Sequence, residues 1–273
     1  MLTVSELYIY PVKSLGGIRL NTAAVTNRGL QYDRRLMLVD ENNVFLTQRE
    51  HAAMALLQPA ITNDGFCIHH KKNIISPLFI PHQPSGNEFV SVTVWDDTCK
   101  AQLYDIAVNN WFSQLLGLTC KLVYMPDTTN RDVDGRYAFN KEITSFADGY
   151  PMLLIGQSSL DDLNTRLAEP IPMNRFRPNI VFAGGGAFLE DQLQAFTING
   201  IDFSGVKPCA RCVMTTIDQD TMSRSKEPLK TLATYRLKNN KILFGQNLLH
   251  KGDGVITIGD KIEIKEYQAA AIA

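Results

Sequence analysis

VITI at 255–258, a Gly259-Asp260 turn and KIEIK at 261–265 set the class of the fold. Apolar and polar residues alternate on both sides of the turn, so each run presents one face to a core and one to water, as a half-buried strand does. Gly and Asp are residues that a tight reversal favours. The same pattern recurs upstream. FVSVTVW at 89–95 places Val90, Val92 and Val94 on one face, and an Asp-Asp turn and a return strand through Leu103 follow. LMLV at 36–39 and VFLT at 44–47 flank DENN and predict a hairpin. MLLI at 152–155 reads as a buried strand, as does NIVFA at 179–183, which ends in three glycines.

Helical spacing is rarer. Asp105 is expected to cap a helix carrying Val108, Trp111, Phe112, Leu115 and Leu116, with Gly117 as its stop. Ser158 is expected to cap a second, with Leu160, Leu163 and Leu167 on one side and Asp161 completing a capping box. A third is expected through 227–236, with Leu229, Leu232 and Tyr235. The polar stretch 125–150 reads as a long connecting or lid loop. Many short strands and few helices predict a mainly β, α+β protein, a β-barrel or strongly curved sheet with helices outside it. Two parts are expected: an N-terminal β-barrel-like region over 1–120 and a β-barrel domain over 121–273.

The 273 residues, 45% hydrophobic, suffice for one large core or two modest ones. A net charge of −1 gives no global pull toward nucleic acid or an anionic membrane. No apolar run reaches the roughly 18 residues of a membrane span, and MLTVSELYIYP opens as a strand, unlike a signal peptide. The expectation is a cytoplasmic protein with no nucleic-acid or membrane partner. Five cysteines are too few and too scattered for a disulfide framework. Cys67, Cys99 and Cys120 are expected to be small buried hydrophobes.

The chemistry centres on KPCARCVMTTID at 207–218, where Cys209 and Cys212 form a C-x-x-C with Arg211 beside the second thiol. Structural zinc needs about four ligands, and neither a second C-x-x-C nor an H-x-x-x-H pairing exists to complete them. A thioredoxin-like pair needs a strand-to-helix step, whereas VMTTI reads as a strand. A single thiolate on a soft metal remains, its ionisation favoured by Arg211, beside the plainer reading of two buried cysteines at a strand start. Basic residues recur in turns. Lys13 and Ser14 in YPVKS precede two glycines and suit a phosphate. Arg34 in DRR can clamp an oxyanion, with Thr47 and Arg49 on the returning strand nearby. Arg175 and Arg177 in NRFRPN alternate with Phe176 and are expected to share one face of an extended segment. Asp148 in DGYP suits an Asx turn. Together these residues suggest an anionic cofactor with a thiophilic metal.

As a set the chain resembles the MOSC family, in the branch with an N-terminal β-barrel region that includes the mitochondrial amidoxime-reducing component. The resemblance spans essentially the whole chain. It rests on YPVKSLGG at 10–17, YDRRLMLVD at 32–40, LTQR at 46–49, SFADGYPMLLI at 145–155, NRFRPNIVF at 174–182, KPCARCVMTTID and LFGQN at 243–247. It implies a molybdopterin-type molybdenum cofactor with Cys212 as metal ligand and Cys209 as neighbour. It further implies cofactor contacts from Lys13, Ser14, Arg34, Arg177 and Asn179. Ala210 and Arg211 complete the loop around the metal, and Asp148 lies nearby as a candidate for orienting water or relaying protons. The implied reaction reduces N-hydroxylated substrates such as amidoximes to amines. The carboxyl-terminal iron–sulfur domain of some relatives and the anchor of the mitochondrial ones are expected to be lacking, so electrons are expected from a separate flavin, haem or iron–sulfur protein. The alternative is a carrier or sulfur-transfer module like the MOSC part of cofactor sulfurases, which usually rides on a pyridoxal-phosphate enzyme. A third reading is a cofactor-free thiol oxidoreductase using Cys209 and Cys212.

Overall fold

The computed structural model describes residues 1–272. Its largest sheet runs Ile262–Tyr267, Leu193–Ile198, Ile201–Ala210, Lys241–Lys251, Met152–Gly156, Ile180–Ala183, Thr3–Ile9, Ile18–Leu20, with Leu237–Lys238 added to Lys241–Lys251. Neighbours are antiparallel except Met152–Gly156 with Ile180–Ala183, a parallel pair. The sheet curls until its far edges meet at one end. Thr3 bridges Lys261 there, and the Ile262 N–H donates to the Leu2 carbonyl at 3.0 Å. Leu7, Leu154, Phe182, Phe196, Phe203 and Leu248 fill the inside of this barrel. The fold is therefore mainly β with peripheral helices, as the alternation requires.

Among the described residues there are three α-helices: α1 (Ile106–Leu116), α2 (Gln157–Arg166) and α3 (Leu229–Ala233). Helix α2 makes the crossover between the two parallel strands. It packs Leu160 and Leu163 on Leu153, Ile155 and Val181, from the barrel's outer face. Helix α1 is capped as expected. The Asp105 carboxylate accepts from the Val108 N–H, and Gly117 ends the helix in the left-handed region at φ 68°. Its Val108 and Phe112 pack on Leu38, Phe66 and Leu122. These belong to a four-stranded sheet (Leu36–Val39, Lys121–Tyr124, Asp97–Leu103, Phe89–Val94) and a three-stranded one (Leu57–Ile61, Gly65–His70, Leu78–Pro81).

Several local expectations change. The strands Gly254–Thr257 and Ile262–Tyr267 exist but do not pair. The first joins Thr22–Thr26 and the second joins Leu193–Ile198. Alternation fixes which face is buried, not which strand is the partner, and Ile256 and Ile262 reach the same core from two sheets. Of the 36–47 hairpin only Leu36–Val39 is a strand. A Val39–Phe45 bridge and a Leu46 N–H to Leu38 carbonyl bond hold the return, and the chain then turns at Thr47. Ser158 does not cap α2. Gly156 is the N-cap, and the Ser158 hydroxyl donates to the Gly185 carbonyl at 3.1 Å. The helix expected over 227–236 shortens to Leu229–Ala233. VMTTI is not a strand, because Val213–Thr216 form a 3-10 turn.

The sheets also cross the expected border at 120. Thr3–Ile9 is an internal strand of the barrel, while Lys121–Tyr124 pairs with Leu36–Val39.

Candidate functional site

Where the barrel meets the smaller sheets, segments distant in sequence line a solvent-open cleft. Lys13 and Ser14 follow the strand Thr3–Ile9, and Arg34 precedes Leu36–Val39. Asp148 and Tyr150 end the long loop, and Arg175, Arg177 and Asn179 precede Ile180–Ala183. Cys209 and Ala210 end the strand Ile201–Ala210, and Arg211 and Cys212 follow it.

The cations are held, not loose. Lys13 Nζ donates to the Phe146 carbonyl at 2.8 Å and to Asp148 Oδ1 at 2.6 Å. Burial brings its pKa down to about 8 against the pull of Asp148. The protein mass around Asp148 would raise its carboxyl. The Lys13 ammonium, the Trp95 indole N–H and Arg49 outweigh that and hold it well below the usual carboxylate range. Its side chain nevertheless stands 65% exposed at the rim, so solvent screens this pair. Arg34 donates to Asp33 at 2.6 Å and to Asn179 Oδ1 at 3.0 Å. Arg177 donates to the Leu15 carbonyl at 2.7 Å, and burial lowers it to about 10. The guanidiniums of Arg34 and Arg177 lie 4.3 and 4.1 Å from the centroid of the buried Tyr10 ring, cation–π contacts that fix both.

Arg177 is not extended. It sits in the left-handed region at φ 56°, after the 3-10 turn Met173–Arg175. The segment therefore folds back instead of running as an edge strand, and both arginines still reach the cleft. Arg175 is spent on the cysteine loop: its Nε donates to the Thr215 carbonyl at 2.9 Å. Thr47 and Arg49 do not line the cleft. Arg49 bonds the Thr47 hydroxyl and stacks on Trp95 at 4.2 Å, behind Asp148.

Arg211 also departs from expectation. In an extended chain residues 209 and 211 share a face and 212 takes the other. The Arg211 guanidinium accordingly lies 3.0 Å from Cys209 Sγ and donates to the Phe176 carbonyl at 2.6 Å. Cys212 is left exposed in the cleft. Cys67 is half-buried, not fully buried like Cys99 and Cys120.

The lining fits an anionic group with a thiophilic metal. Lys13, Arg34, Arg175, Arg177 and Arg211 line it with one carboxylate, Asp148, while Arg34 and Arg175 also pair with Asp33 and Asp218 behind the wall. The Ser14 hydroxyl and Arg211 Nε are buried without a partner among the described residues, a state that costs free energy unless a water or a ligand completes it. Residues 1–119 match the family model described as the MOSC N-terminal beta barrel domain, and residues 141–263 match the MOSC domain.

The chain belongs to the MOSC family. It is 30% identical to the mouse protein named mitochondrial amidoxime-reducing component 1, over 95% of this chain and 81% of that one. It is 33% identical to mitochondrial amidoxime reducing component 2 of Macaca fascicularis, over 86% and 72%. A rice molybdenum cofactor sulfurase is 30% identical over 89% of this chain, which spans about a third of the sulfurase.

In this MOSC chain a buried amide pair ties the cleft together. Gln48 Nε2 donates to the Ser14 carbonyl at 2.6 Å and to Gln219 Oε1 at 3.2 Å, and Gln219 Nε2 returns a bond to Gln48 Oε1 at 3.0 Å. The Ser14 turn and the cysteine loop are thereby joined. Sequence reasoning missed Gln48, Gln219, Tyr10, Trp95 and Asn247. Gln48 and Tyr10 sit inside the LTQR and YPVKS motifs, and Gln219 directly follows KPCARCVMTTID. Trp95 carries no motif signal.

Proposed function

We propose that this protein is a molybdenum-cofactor-dependent oxidoreductase that reduces N-hydroxylated substrates, amidoximes above all, with electrons from a separate flavin, haem or iron–sulfur carrier. One observation carries the reading: an exposed thiol, Cys212, shares a cleft with fixed cations and an unpartnered buried hydroxyl. The amidoxime-reducing names of relatives matching most of this chain support it.

The Cys212 thiolate would ligate the metal, as soft-metal sites prefer. Ser14, Arg34 and Arg177 would hold the cofactor's phosphate and pterin by charge-assisted bonds, with Asn179 fixing Arg34. When bound, the cofactor supplies the two-electron redox chemistry that cleaves the N–O bond. The protein orients and moves protons. Lys13 Nζ, lowered to about 8 and bonded to Asp148 Oδ1, can release and retake a proton near neutral pH. Arg211 holds the Cys209 side of the loop in place.

The test is metal and pterin analysis of protein from a cofactor-competent host, with benzamidoxime reduction by an artificial donor. Wild type should carry molybdenum and turn over. Cys212→Ala should lose turnover while keeping the wild-type circular dichroism spectrum. Turnover retained in that variant would refute the proposal. The sulfurase relatives favour a second reading, a cofactor carrier or sulfur-transfer module, which predicts metal and pterin without turnover.

A further inference from the structure

Among the described residues five arginines are buried: Arg28, Arg131, Arg175, Arg177 and Arg236. Three of them meet a carboxylate. Arg131 pairs with Asp97 at 2.7 Å, Arg175 with Asp218 at 3.6 Å and Arg236 with Asp191 at 2.6 Å. Arg177 has none in reach, and it lines the cleft, where an anionic cofactor would supply the missing charge. Arg28 has none either, and it lies elsewhere. It lines a second open cavity that shares no residue with the cleft. Consecutive residues divide the two sites: Arg34 lines the cleft and Arg35 the cavity.

Arg28 is only 3% exposed. All its bonds run to neutral oxygens, those of the Asn27 and Asn130 side chains and the Asp127 and Thr129 carbonyls. The Asp127 carboxylate goes to Arg35 instead, at 2.7 Å. Arg28 Nε is buried with no partner among the described residues. A water can take that N–H but brings no charge, and a buried cation without a counter-charge is costly to keep. The same cavity has an aromatic wall. Tyr32 and His82 stack with their centroids 4.5 Å apart and their planes 6° apart, and Phe66 meets both edge-on.

We infer that this cavity is a second binding site, one that takes a planar aromatic monocarboxylate. The carboxylate accepts from Arg28 Nε and supplies its counter-charge, a charge-assisted bond. The ring lies against the Tyr32–His82 pair, where stacking favours an aromatic body over an aliphatic one. One negative charge fits better than two. Asp127 already neutralises Arg35, and Asp64 adds a further negative charge to the lining. A phosphate dianion meets more of that repulsion than a single carboxylate does.

The experiment is calorimetry on the full chain from a cofactor-competent host, with benzoate, its neutral isostere benzamide, cyclohexanecarboxylate and inorganic phosphate as probes. Wild type should bind benzoate at least about 10-fold tighter than benzamide. It should bind benzoate about 3-fold or more tighter than cyclohexanecarboxylate, and phosphate more weakly than benzoate. Arg28→Gln should bring benzoate and benzamide within about 3-fold of each other. Should that variant fail to fold, His82→Ala carries the test alone, because it removes a half-buried ring whose Nδ1 bonds nothing. It should weaken benzoate about 3-fold or more while the circular dichroism spectrum stays that of wild type. Equal affinity of wild type for benzoate and benzamide, phosphate binding tighter than benzoate, or benzoate affinity unchanged in a folded Arg28→Gln or in His82→Ala overturns the inference. Arg28 and His82 stand outside the cleft, so the outcome is independent of the reductase reading.

Discussion

Replacing Gln48 by Leu tests whether the cleft is held as one unit. The side chain is wholly buried. It makes three bonds: to the Ser14 carbonyl, to Gln219 Oε1 and from Gln219 Nε2. Leu has a similar volume, so packing changes little and the loss is polar. Gln219 Nε2 keeps a bond to the Ile217 carbonyl at 3.1 Å, but the Ser14 carbonyl and Gln219 Oε1 lose theirs. A buried group left unpaired costs about 1–3 kcal/mol, so Gln48→Leu should cost about 3 kcal/mol. Gln219→Leu alone strands Gln48 in the same way. The double variant removes both partners and leaves an apolar contact, so its loss should fall short of the sum by about 1–3 kcal/mol. Urea unfolding of all four proteins, with unchanged slopes, gives the cycle. A Gln48→Leu loss below about 1 kcal/mol, or additive single losses, refutes the clamp.

Glu190 is buried, with one oxygen unpartnered and the other bonded by the Ser159 hydroxyl at 2.8 Å, and burial lifts its pKa to about 7. The folded state then keeps a proton that the unfolded chain releases near pH 4.5, so stability from this group is present at low pH and is lost as pH rises through 7. Wild type should lose about 3 kcal/mol between pH 4.5 and 7.5 at this site. Glu190→Gln should flatten that slope, and matching urea midpoint profiles for the two proteins would count against it. Gly17→Ala puts a Cβ 2.5 Å from Tyr10 Cε1. The ring carries two guanidiniums and its hydroxyl donates to the Pro178 carbonyl at 3.0 Å, so it has little freedom to move. We expect a loss of about 1–3 kcal/mol and reduced molybdenum content. An unchanged thermal midpoint with full metal content would show that the ring yields freely.

The features legible in the sequence were those with a local cause. Strict alternation at 89–94, the Asp105 cap and the Gly117 stop appear in the structure as read. The convergence of Lys13, Arg34, Arg177 and Cys212 on one cleft was legible only through the motif set, since no spacing links residues more than a hundred positions apart. What escaped was tertiary. VMTTI has strand propensity, yet the Cys212–Thr215 bonds and Arg175 on the Thr215 carbonyl wind it into a 3-10 turn. Arg177 precedes a proline and by local rules should be extended, but the stack on Tyr10 and the bond to Leu15 hold it left-handed. Thr47 and Arg49 followed from a hairpin whose return strand does not form.

The site and the joint between the two matched regions are built from the same atoms. Arg177 reaches across to Leu15, Arg34 to Asn179, and Lys13 to Phe146 and Asp148. Ser14, Arg34 and Arg177 all sit in the left-handed region, at φ 67°, 48° and 56°. Side chains larger than glycine or asparagine adopt it at a cost of about 1–3 kcal/mol each. The three strained residues sit around one cleft. A residue kept there only for packing would be relieved by any neighbour that let it relax, whereas these are overdetermined by ion pairs, a shared aromatic ring and the Gln48 clamp. Strain held at this density gives the cleft its cations in fixed positions before any ligand arrives, and a preformed cationic wall gains affinity because little is left to order on binding. The same bonds make occupancy and the joint interdependent: an anion that satisfies Ser14 and the arginines stabilises the contact between the barrel and the smaller sheets, and loosening that contact disperses the site.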